Sequence, residues 1–273
     1  QTVFQSLGGR VYAIDLETGN RRWQFPPLDP IPGVFRTAPI AVGNTVVVAG
    51  DNKVVYGIDP TTGAQRWSTL LPSAAGRLVS VNDKYVAFAT GGNRIEVLDV
   101  ETGKSFYTQP YLAIKGIEGA IGAYRNDILF FNRDRELVSI NVASQKTNWR
   151  LPFQNLPVGA TPVVFGEGIY LNSGTFLVNV NPVTGRAKWQ FNTGMTLQFL
   201  PGVSATGIGV VGLPRGAQGP AFSSFDLDRQ PITKAPVPLG STPVAGPASV
   251  GGKFVVPTAN GALNLLDPKS GAV

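Results

Sequence analysis

The stretch AIDLETGNRRW, residues 13–23, recurs along the chain with a nearly constant spacing. Its copies are GIDPTTGAQRW (57–67), VLDVETGKSFY (97–107), SINVASQKTNW (139–149) and NVNPVTGRAKW (179–189), followed by a degraded copy at 224–234 and a truncated one at the end of the chain. The third residue of each copy is Asp15, Asp59, Asp99, Asn141, Asn181, Asp226 or Asp267, and consecutive ones are 40 to 45 residues apart. Seven copies at one period indicate a repeat architecture.

All four tryptophans of the chain occupy one place in this repeat. Trp23, Trp67, Trp149 and Trp189 lie eight residues after the Asp/Asn position, and Tyr107 takes that place in the third copy. Two further β-like runs precede each copy, as in residues 37–59. Each repeat of about 42 residues therefore predicts four short strands joined by Gly, Asn and Asp turns.

Four strands at this period are typical of one blade of a β-propeller. The predicted fold is therefore all-β, a β-propeller of four-stranded antiparallel blades that forms a single domain over residues 1–273. Seven copies favour seven blades, and an eighth blade stays open; a parallel β-helix is less favoured because its rungs are shorter. The first blade begins at its second strand, 2–7, and the last stops before its aromatic position, so we expect an incomplete ring seam at the termini.

The Asp/Asn position has two interpretations. A carboxylate could be a metal ligand or a general base, but an amide is no base, and a ring would spread these groups apart. We therefore predict that the residue accepts hydrogen bonds from backbone N–H groups of a tight turn. The glycine four residues later is expected at positive φ, and the aromatic residue is expected to dock on the next blade. These glycines are Gly19, Gly63, Gly103, Gly185 and Gly271.

Composition narrows the possible chemistry. The 273 residues include no Cys and no His, which excludes disulfides, cysteine nucleophiles, histidine bases and thiolate or imidazole metal sites. No apolar run approaches the ~20 residues that span a bilayer, so no transmembrane segment is predicted. The net charge of +6 permits anionic partners, but scattered Lys and Arg argue against nucleic acid. The lack of Cys and of a signal segment before Gln1 favours a processed protein in the periplasm, at the cell surface or secreted.

The pattern A-x-D-x-x-T-G-x-x-x-W at residues 13–23 resembles the tryptophan-docking repeat of pyrroloquinoline-quinone (PQQ) type β-propellers. That family includes quinoprotein dehydrogenases and the propeller subunit of the bacterial outer-membrane β-barrel assembly machinery, to which this chain is nearer in size. The dehydrogenases hold a quinone over a metal ion, stack it on a Trp and often add a vicinal Cys pair. Because this chain has no Cys and its Trp residues all occupy the docking position, the resemblance implies a non-enzymatic protein without catalytic, cofactor-binding or metal-binding residues.

Two sets of loops open on opposite sides of a propeller. The loops between blades and between second and third strands share one side, where basic residues outnumber acidic ones and aromatic residues also occur. The candidate partner-binding residues on this side are Arg36, Arg77, Arg94, Lys115, Arg133, Arg135, Arg215, Phe35 and Tyr111. We predict a non-catalytic extracytoplasmic scaffold that binds a protein partner in the cell envelope. The alternatives are ordinary solvated loop charges, a quinoprotein-like enzyme or binder of PQQ or a small anion, and an acidic-glycan or envelope-binding module.

Overall fold

The computed structural model describes residues 1–270, which form seven antiparallel β-sheets. These sheets are the blades of a seven-bladed β-propeller, so the fold predicted from the repeats is confirmed. Residue contacts divide the chain into two compact units, one of residues 1–134 and 138–148 and the other of residues 135–137 and 149 onward. The single domain and the incomplete seam stay predictions, and Gly271 lies outside the described residues.

The first three blades belong to the first unit. Blade 1 consists of β1 (Thr2–Leu7), β2 (Arg10–Asp15) and β3 (Arg21–Phe25). Blade 2 consists of β4 (Ile40–Val42), β5 (Thr45–Ala49), β6 (Val54–Ile58) and β7 (Gln65–Leu70). Blade 3 consists of β8 (Val79–Val81), β9 (Tyr85–Thr90), β10 (Arg94–Asp99) and β11 (Tyr111–Leu112).

The remaining blades continue the same order along the chain. Blade 4 consists of β12 (Glu118–Tyr124), β13 (Asp127–Phe131), β14 (Glu136–Asn141) and β15 (Thr147–Pro152). A 3-10 turn, Val158–Ala160, precedes blade 5. Blade 5 consists of β16 (Val163–Phe165), β17 (Gly168–Ser173), β18 (Phe176–Val180) and β19 (Ala187–Asn192). Blade 6 consists of β20 (Met195–Leu197), β21 (Gly202–Ser204), β22 (Gly207–Pro214), β23 (Ala221–Phe225) and β24 (Val237–Pro238), and blade 7 of β25 (Ala248–Val250), β26 (Lys253–Pro257) and β27 (Leu263–Leu266).

Blades 1, 6 and 7 depart from four strands, and blade 7 has three strands within the described residues. In blade 1 the strand β1 pairs with β2 over its full length, from Thr2 opposite Asp15 to Leu7 opposite Arg10. Strand β1 therefore takes the place of a second strand, as the sequence predicted. In blade 6 the first strand is interrupted, because β20 pairs with one end of β22 and β21 with the other.

The core consists of apolar layers between successive blades. Strand β5 is buried on both faces: Val46 and Val48 pack with blade 1 residues, while Val47 and Ala49 pack with blade 3 residues. Complete burial of a valine side chain stabilises the fold by about 1.5–3 kcal/mol. A similar layer in the second unit joins blades 5 and 6 and includes Leu177. Both faces of a blade are thus occupied, and the residues that remain accessible for binding lie in turns, loops and fourth strands.

Candidate functional site in the repeat turns and loops

The turn between third and fourth strands follows the predicted hydrogen-bond pattern. The Oδ1 atom of Asp15 accepts the backbone N–H groups of Glu17 and Thr18, both at 3.0 Å, and its carbonyl oxygen accepts the N–H of Gly19 at 2.9 Å. The amide oxygen of Asn181 accepts the same pair of bonds, from residues 183 and 184, at 2.9 and 3.0 Å. An uncharged oxygen therefore makes this turn as well as a carboxylate does. Corresponding bonds are accepted by the side-chain oxygens of Asp59, Asp99, Asn141, Asp226 and Asp267.

Two of the acidic turns carry an additional ion pair. The guanidinium of Arg22 binds the second carboxylate oxygen of Asp15, with Nε at 3.0 Å, and Nη2 of Arg66 lies 2.5 Å from Oδ2 of Asp59. The arginine hydrogen bond and the turn N–H groups lower the pKa of both carboxyls well below its usual value. Only these two copies have an arginine seven residues after the Asp; the Asp99 and Asp226 copies have Phe106 and Thr233 there.

Three indole rings dock one copy forward along the chain. The Nε1–H of Trp23 donates to the carbonyl oxygen of Pro60 at 2.9 Å, and Trp67 donates to Val100 at 2.8 Å. In the second unit Trp149 donates to Pro182 at 2.9 Å. Each acceptor directly follows the Asp or Asn of the next copy, so the aromatic position of one blade is fastened to the turn of its successor.

The repeat glycine is required for a reason beyond its backbone angle. Gly63, Gly103 and Gly185 have φ of 75°, 68° and 69°, which only glycine adopts without strain. A Cβ atom at Gly103 would also lie 2.5 Å from the ring of Trp67, and one at Gly185 would lie 2.4 Å from Trp149. The absent side chain therefore makes room for the indole of the preceding blade.

The fourth and sixth turns lack this glycine, and the aromatic residues before them behave differently. In the fourth turn Gln145 has φ of 56°, and the preceding aromatic residue is Tyr107. The Tyr107 hydroxyl makes no hydrogen bond within residues 1–270, and burial, with a smaller contribution from Tyr111, raises its pKa to about 12. The sixth turn is one residue shorter, with Arg229 at φ of 76°. The Trp189 indole before it makes ring contacts but donates no hydrogen bond among the described residues.

Hydrogen bonds between loops define one side of the first unit. The N–H of Leu71, between blades 2 and 3, donates to the carbonyl oxygen of Lys53 in the second-to-third-strand hairpin of blade 2, at 2.8 Å. The N–H of Ile117, between blades 3 and 4, donates to Gly92 in the corresponding hairpin of blade 3, at 2.7 Å. These two kinds of loop therefore lie on one side, which we call the loop side, as the sequence sorting assumed.

The predicted basic residues of the first unit differ in whether their charge is already neutralised. Nε of Arg36 lies 3.3 Å from Oδ2 of Asp51, Nε of Arg94 lies 3.5 Å from Oε1 of Glu96, and Lys115 pairs with Asp134. Arg77 and Arg133 are exposed and have no ion pair within the part of the chain that is described. The two unpaired arginines are therefore the strongest candidates for binding an anionic group.

The predicted aromatic contacts are less accessible than the sequence suggested. Phe35 is only 6% exposed and packs in the core with its ring centroid 5.8 Å from that of Tyr56, so the structure corrects its assignment as a surface contact. Tyr111 is half-buried, with its ring centroid 6.2 Å from that of Phe130. The two basic candidates of the second unit are exposed, and Arg135 donates from Nη1 to the carbonyl oxygen of Gln154 at 2.7 Å. Arg215 lines a cleft of that unit.

One group of loops brings the unpaired arginines close to exposed apolar side chains. We define the blade-3 loop cluster as Arg77, the hairpin 91–93, Leu112, Ile114 and Arg133. The N–H of Gly76 donates to Ala89, which places the Arg77 loop beside the hairpin, and the N–H of Ala113 donates to Asn93, both at 2.8 Å.

Glycines let the side chain of Arg133 reach across this cluster. A Cβ atom at Gly92 would lie 3.6 Å from Nη2 of Arg133, and one at Gly116 would lie 3.0 Å from its Nε. Leu112 is 56% and Ile114 is 99% exposed, and Ala113 between them binds the hairpin that Arg133 reaches, so apolar surface and the Arg133 charge lie at one hairpin.

The residues present do not fit a quinone held over a metal ion. Trp23 and Trp67 are each 8% exposed because they are docked on the next turn, so neither ring is open for stacking. Among residues 1–270 no group of three His, Cys, Asp or Glu side chains could hold a metal ion. The repeat carboxylates instead accept the hydrogen bonds of their own turns.

The comparisons with known proteins agree with this geometry. Residues 7–116 match the family model described as "Outer membrane protein assembly factor BamB". The crystal structure of BamB from Moraxella catarrhalis superposes with a TM-score of 0.66 over 95% of this chain and 78% of that chain, at 17% identity. A chain in the crystal structure of a mitotic checkpoint complex gives a TM-score of 0.68 over 97% of this chain and 83% of that chain, at 12% identity. At such identities the likeness shows the fold alone.

No curated protein matches the chain in sequence, whereas 1469 chains of known structure match its fold, so the fold by itself does not select a function. The matched range, residues 7–116, contains the first three copies of the docking repeat, whose turns are described above. The predicted resemblance is therefore confirmed: the chain is a seven-bladed β-propeller whose first three blades match the family model of BamB.

Proposed function

We propose that this chain is a non-catalytic scaffold of the cell envelope, outside the cytoplasm, that binds a protein partner through the blade-3 loop cluster. The observation that carries the proposal is the position of Ile114, which is 99% exposed in a loop bound to the 91–93 hairpin that the Arg133 side chain also reaches. An exposed aliphatic side chain next to Arg is the composition of a binding hot spot rather than of ordinary solvated loops.

The partner surface is expected to be complementary to this cluster. It presents carboxylates to Arg77 and Arg133 and an apolar recess for Ile114. Arg36, Arg94 and Lys115 contribute less, because a partner carboxylate would have to displace the acid that each already binds.

The envelope location is supported by the BamB family match and by the similarity in fold to BamB from Moraxella catarrhalis. Within residues 1–270 the structure contains no helix that is long and apolar enough to cross a membrane.

Site-specific crosslinking tests the proposal directly. With a photoreactive amino acid at position 114, irradiation of native envelopes is expected to give one dominant protein adduct, which mass spectrometry identifies. The double variant Arg77→Glu, Arg133→Glu is expected to reduce the adduct at least ~10-fold, since like charges repel across an interface.

The matched control is Arg186→Glu, an exposed arginine in a repeat turn of the second unit. An adduct that survives the double charge reversal, or that falls equally with Arg186→Glu, would contradict the proposed site. An unchanged melting temperature in all three proteins ensures that a lost adduct reports binding rather than unfolding.

A further inference from the structure

Three clefts of the second unit follow one another along the loops and fourth strands of blades 4 to 6. Their volumes are about 820, 560 and 640 Å³. The first two share Thr175 in their lining, and the second and third share Pro214 and Ala217. Because neighbouring clefts have wall residues in common, they adjoin one another, and we call the row of three clefts the groove. We propose that this groove binds an uncharged oligosaccharide chain.

The largest cleft has the lining chemistry of a neutral polar ligand site. None of its lining residues is charged, although the chain as a whole carries a net charge of +6. The rings of Phe153 and Phe176 adjoin the cleft, and that of Phe176 is 41% exposed. The two aromatic rings provide apolar surface for a ligand that is itself uncharged. The adjoining cation, Arg135, already donates to the carbonyl oxygen of Gln154.

Amide side chains supply the directional contacts in the same cleft. Gln154, Asn155 and Gln190 line it, and their side chains make no hydrogen bond with other described residues. A primary amide can donate and accept at the same time. Hydroxyl and acetamido groups of sugars also donate and accept hydrogen bonds, so each amide side chain can donate to such a group or accept from it.

Bare backbone allows a ligand to approach closely along the groove. Gly174 lines the first cleft, and Gly194 and Gly216 line the second; a Cβ atom at any of the three would meet nothing within 4 Å. Glycines with open space above them leave carbonyl and N–H groups accessible to a ligand. Their succession matches the repeating polar groups of a chain molecule better than those of a single small ligand.

Two other classes of chain ligand are distinguished from an oligosaccharide by charge and by strand pairing. Arg215 is the one charged residue among the residues that line the three clefts, so few cations are available to neutralise a polyanion. An extended peptide is the competing ligand, because the outer strands β15 and β19 both contribute residues to the first cleft, and the titration therefore includes a neutral peptide.

Titration of the purified protein with the β-1,4-linked tetramer of N-acetylglucosamine tests the proposal, with heat of binding as readout. We expect saturable binding, an affinity that rises from the disaccharide to the tetramer, and at least a ~10-fold loss in Phe176→Ala and in Gln190→Ala. The matched controls are Phe106→Ala, a phenylalanine of 38% exposure in the first unit, and Gln5→Ala on β1. Both controls are expected to bind as the unmodified protein does.

Three results would overturn the inference: no binding of the tetramer, binding that Phe176→Ala leaves intact, or tighter binding of a neutral extended peptide than of the tetramer. Circular dichroism of each variant shows whether the fold is retained, and an amide-shift map of the unmodified protein with the tetramer locates the site without any substitution. The crosslink at position 114 is expected to be unaffected by the tetramer, so the two sites fail or succeed separately.

Discussion

Trp67 reaches over Gly103 to donate its indole N–H to the carbonyl oxygen of Val100, 2.8 Å away in the next blade. The bond and the close approach of the ring are both possible only because residue 103 has no side chain. The same relationship joins Trp23 to Gly63 and Trp149 to Gly185.

Alanine substitution separates the two requirements on the repeat glycine. Gly19 has φ of 70°, and a Cβ atom there would meet nothing within 4 Å, whereas Gly103 has φ of 68° and a Cβ atom there would lie 2.5 Å from the Trp67 ring. We expect Gly19→Ala to lower the free energy of unfolding by about 1–2 kcal/mol through backbone strain. Gly103→Ala is expected to lower it by a further ~2 kcal/mol or more because the indole is displaced. Equal losses in urea unfolding would show that ring docking does not depend on the glycine.

The indole hydrogen bond is expected to contribute to stability in some blades and not in others. Trp67→Phe removes an indole N–H that donates to the carbonyl oxygen of Val100. Trp189→Phe removes an indole N–H that has no acceptor among the described residues. We expect the first change to be more destabilising by about 1 kcal/mol, the net contribution of one hydrogen bond. Chemical denaturation of both variants measures the difference, and a larger loss for Trp189→Phe would contradict it.

The turn carboxylates are expected to make the fold sensitive to acid. Arginine and turn N–H groups hold the pKa values of Asp15 and Asp59 below the value near 3.9 of an unfolded chain. Their contribution is therefore fully present above about pH 4 and is lost as the pH falls towards the folded-state pKa values. The double variant Asp15→Asn, Asp59→Asn keeps an acceptor at each turn, as Asn181 does.

Thermal melting across this range provides the measurement. The drop in melting temperature between pH 6 and pH 3, values that bracket the ordinary Asp pKa of about 3.9, is expected to be smaller in the double variant than in the unmodified protein. Identical drops would mean that these ion pairs do not favour the folded state.

Two isoleucines on the same stretch of chain are expected to separate binding from stability. Ile114 is 99% exposed, whereas Ile121 is 1% exposed and belongs to the core between blades 3 and 4. Ile121→Ala is expected to destabilise by about 2–5 kcal/mol, and Ile114→Ala by less than about 0.5 kcal/mol. Loss of partner capture in stable Ile114→Ala would support the blade-3 loop cluster, and unchanged capture would count against it.

The repeat made the fold and the turn contacts predictable because the same local chemistry occurs seven times. Asp15 and Asn181 make corresponding bonds, so comparing copies was enough to assign a turn. Side-chain direction was not accessible in this way: Phe35 lies in a loop by sequence position, yet its ring turns inward against Tyr56. The position of the Arg133 side chain over Gly116 depends on the conformation of the loop, which the repeat pattern does not predict.

Each docked aromatic residue contacts the turn of the next blade, and this contact determines which segments can be exchanged between copies of the repeat. A turn with glycine at its fifth residue and the aromatic side chain of the preceding blade form one functional pair, although they belong to different blades. Where the turn has Gln145 instead, the preceding residue is Tyr107, whereas the sixth turn lacks the glycine and keeps Trp189, whose N–H then has no acceptor among the described residues. A segment is therefore expected to be duplicated, deleted or transplanted successfully when its ends lie between the Asp/Asn turn of a blade and the fourth strand that follows. Each aromatic residue then stays in one segment with the turn of the next blade, on which it docks.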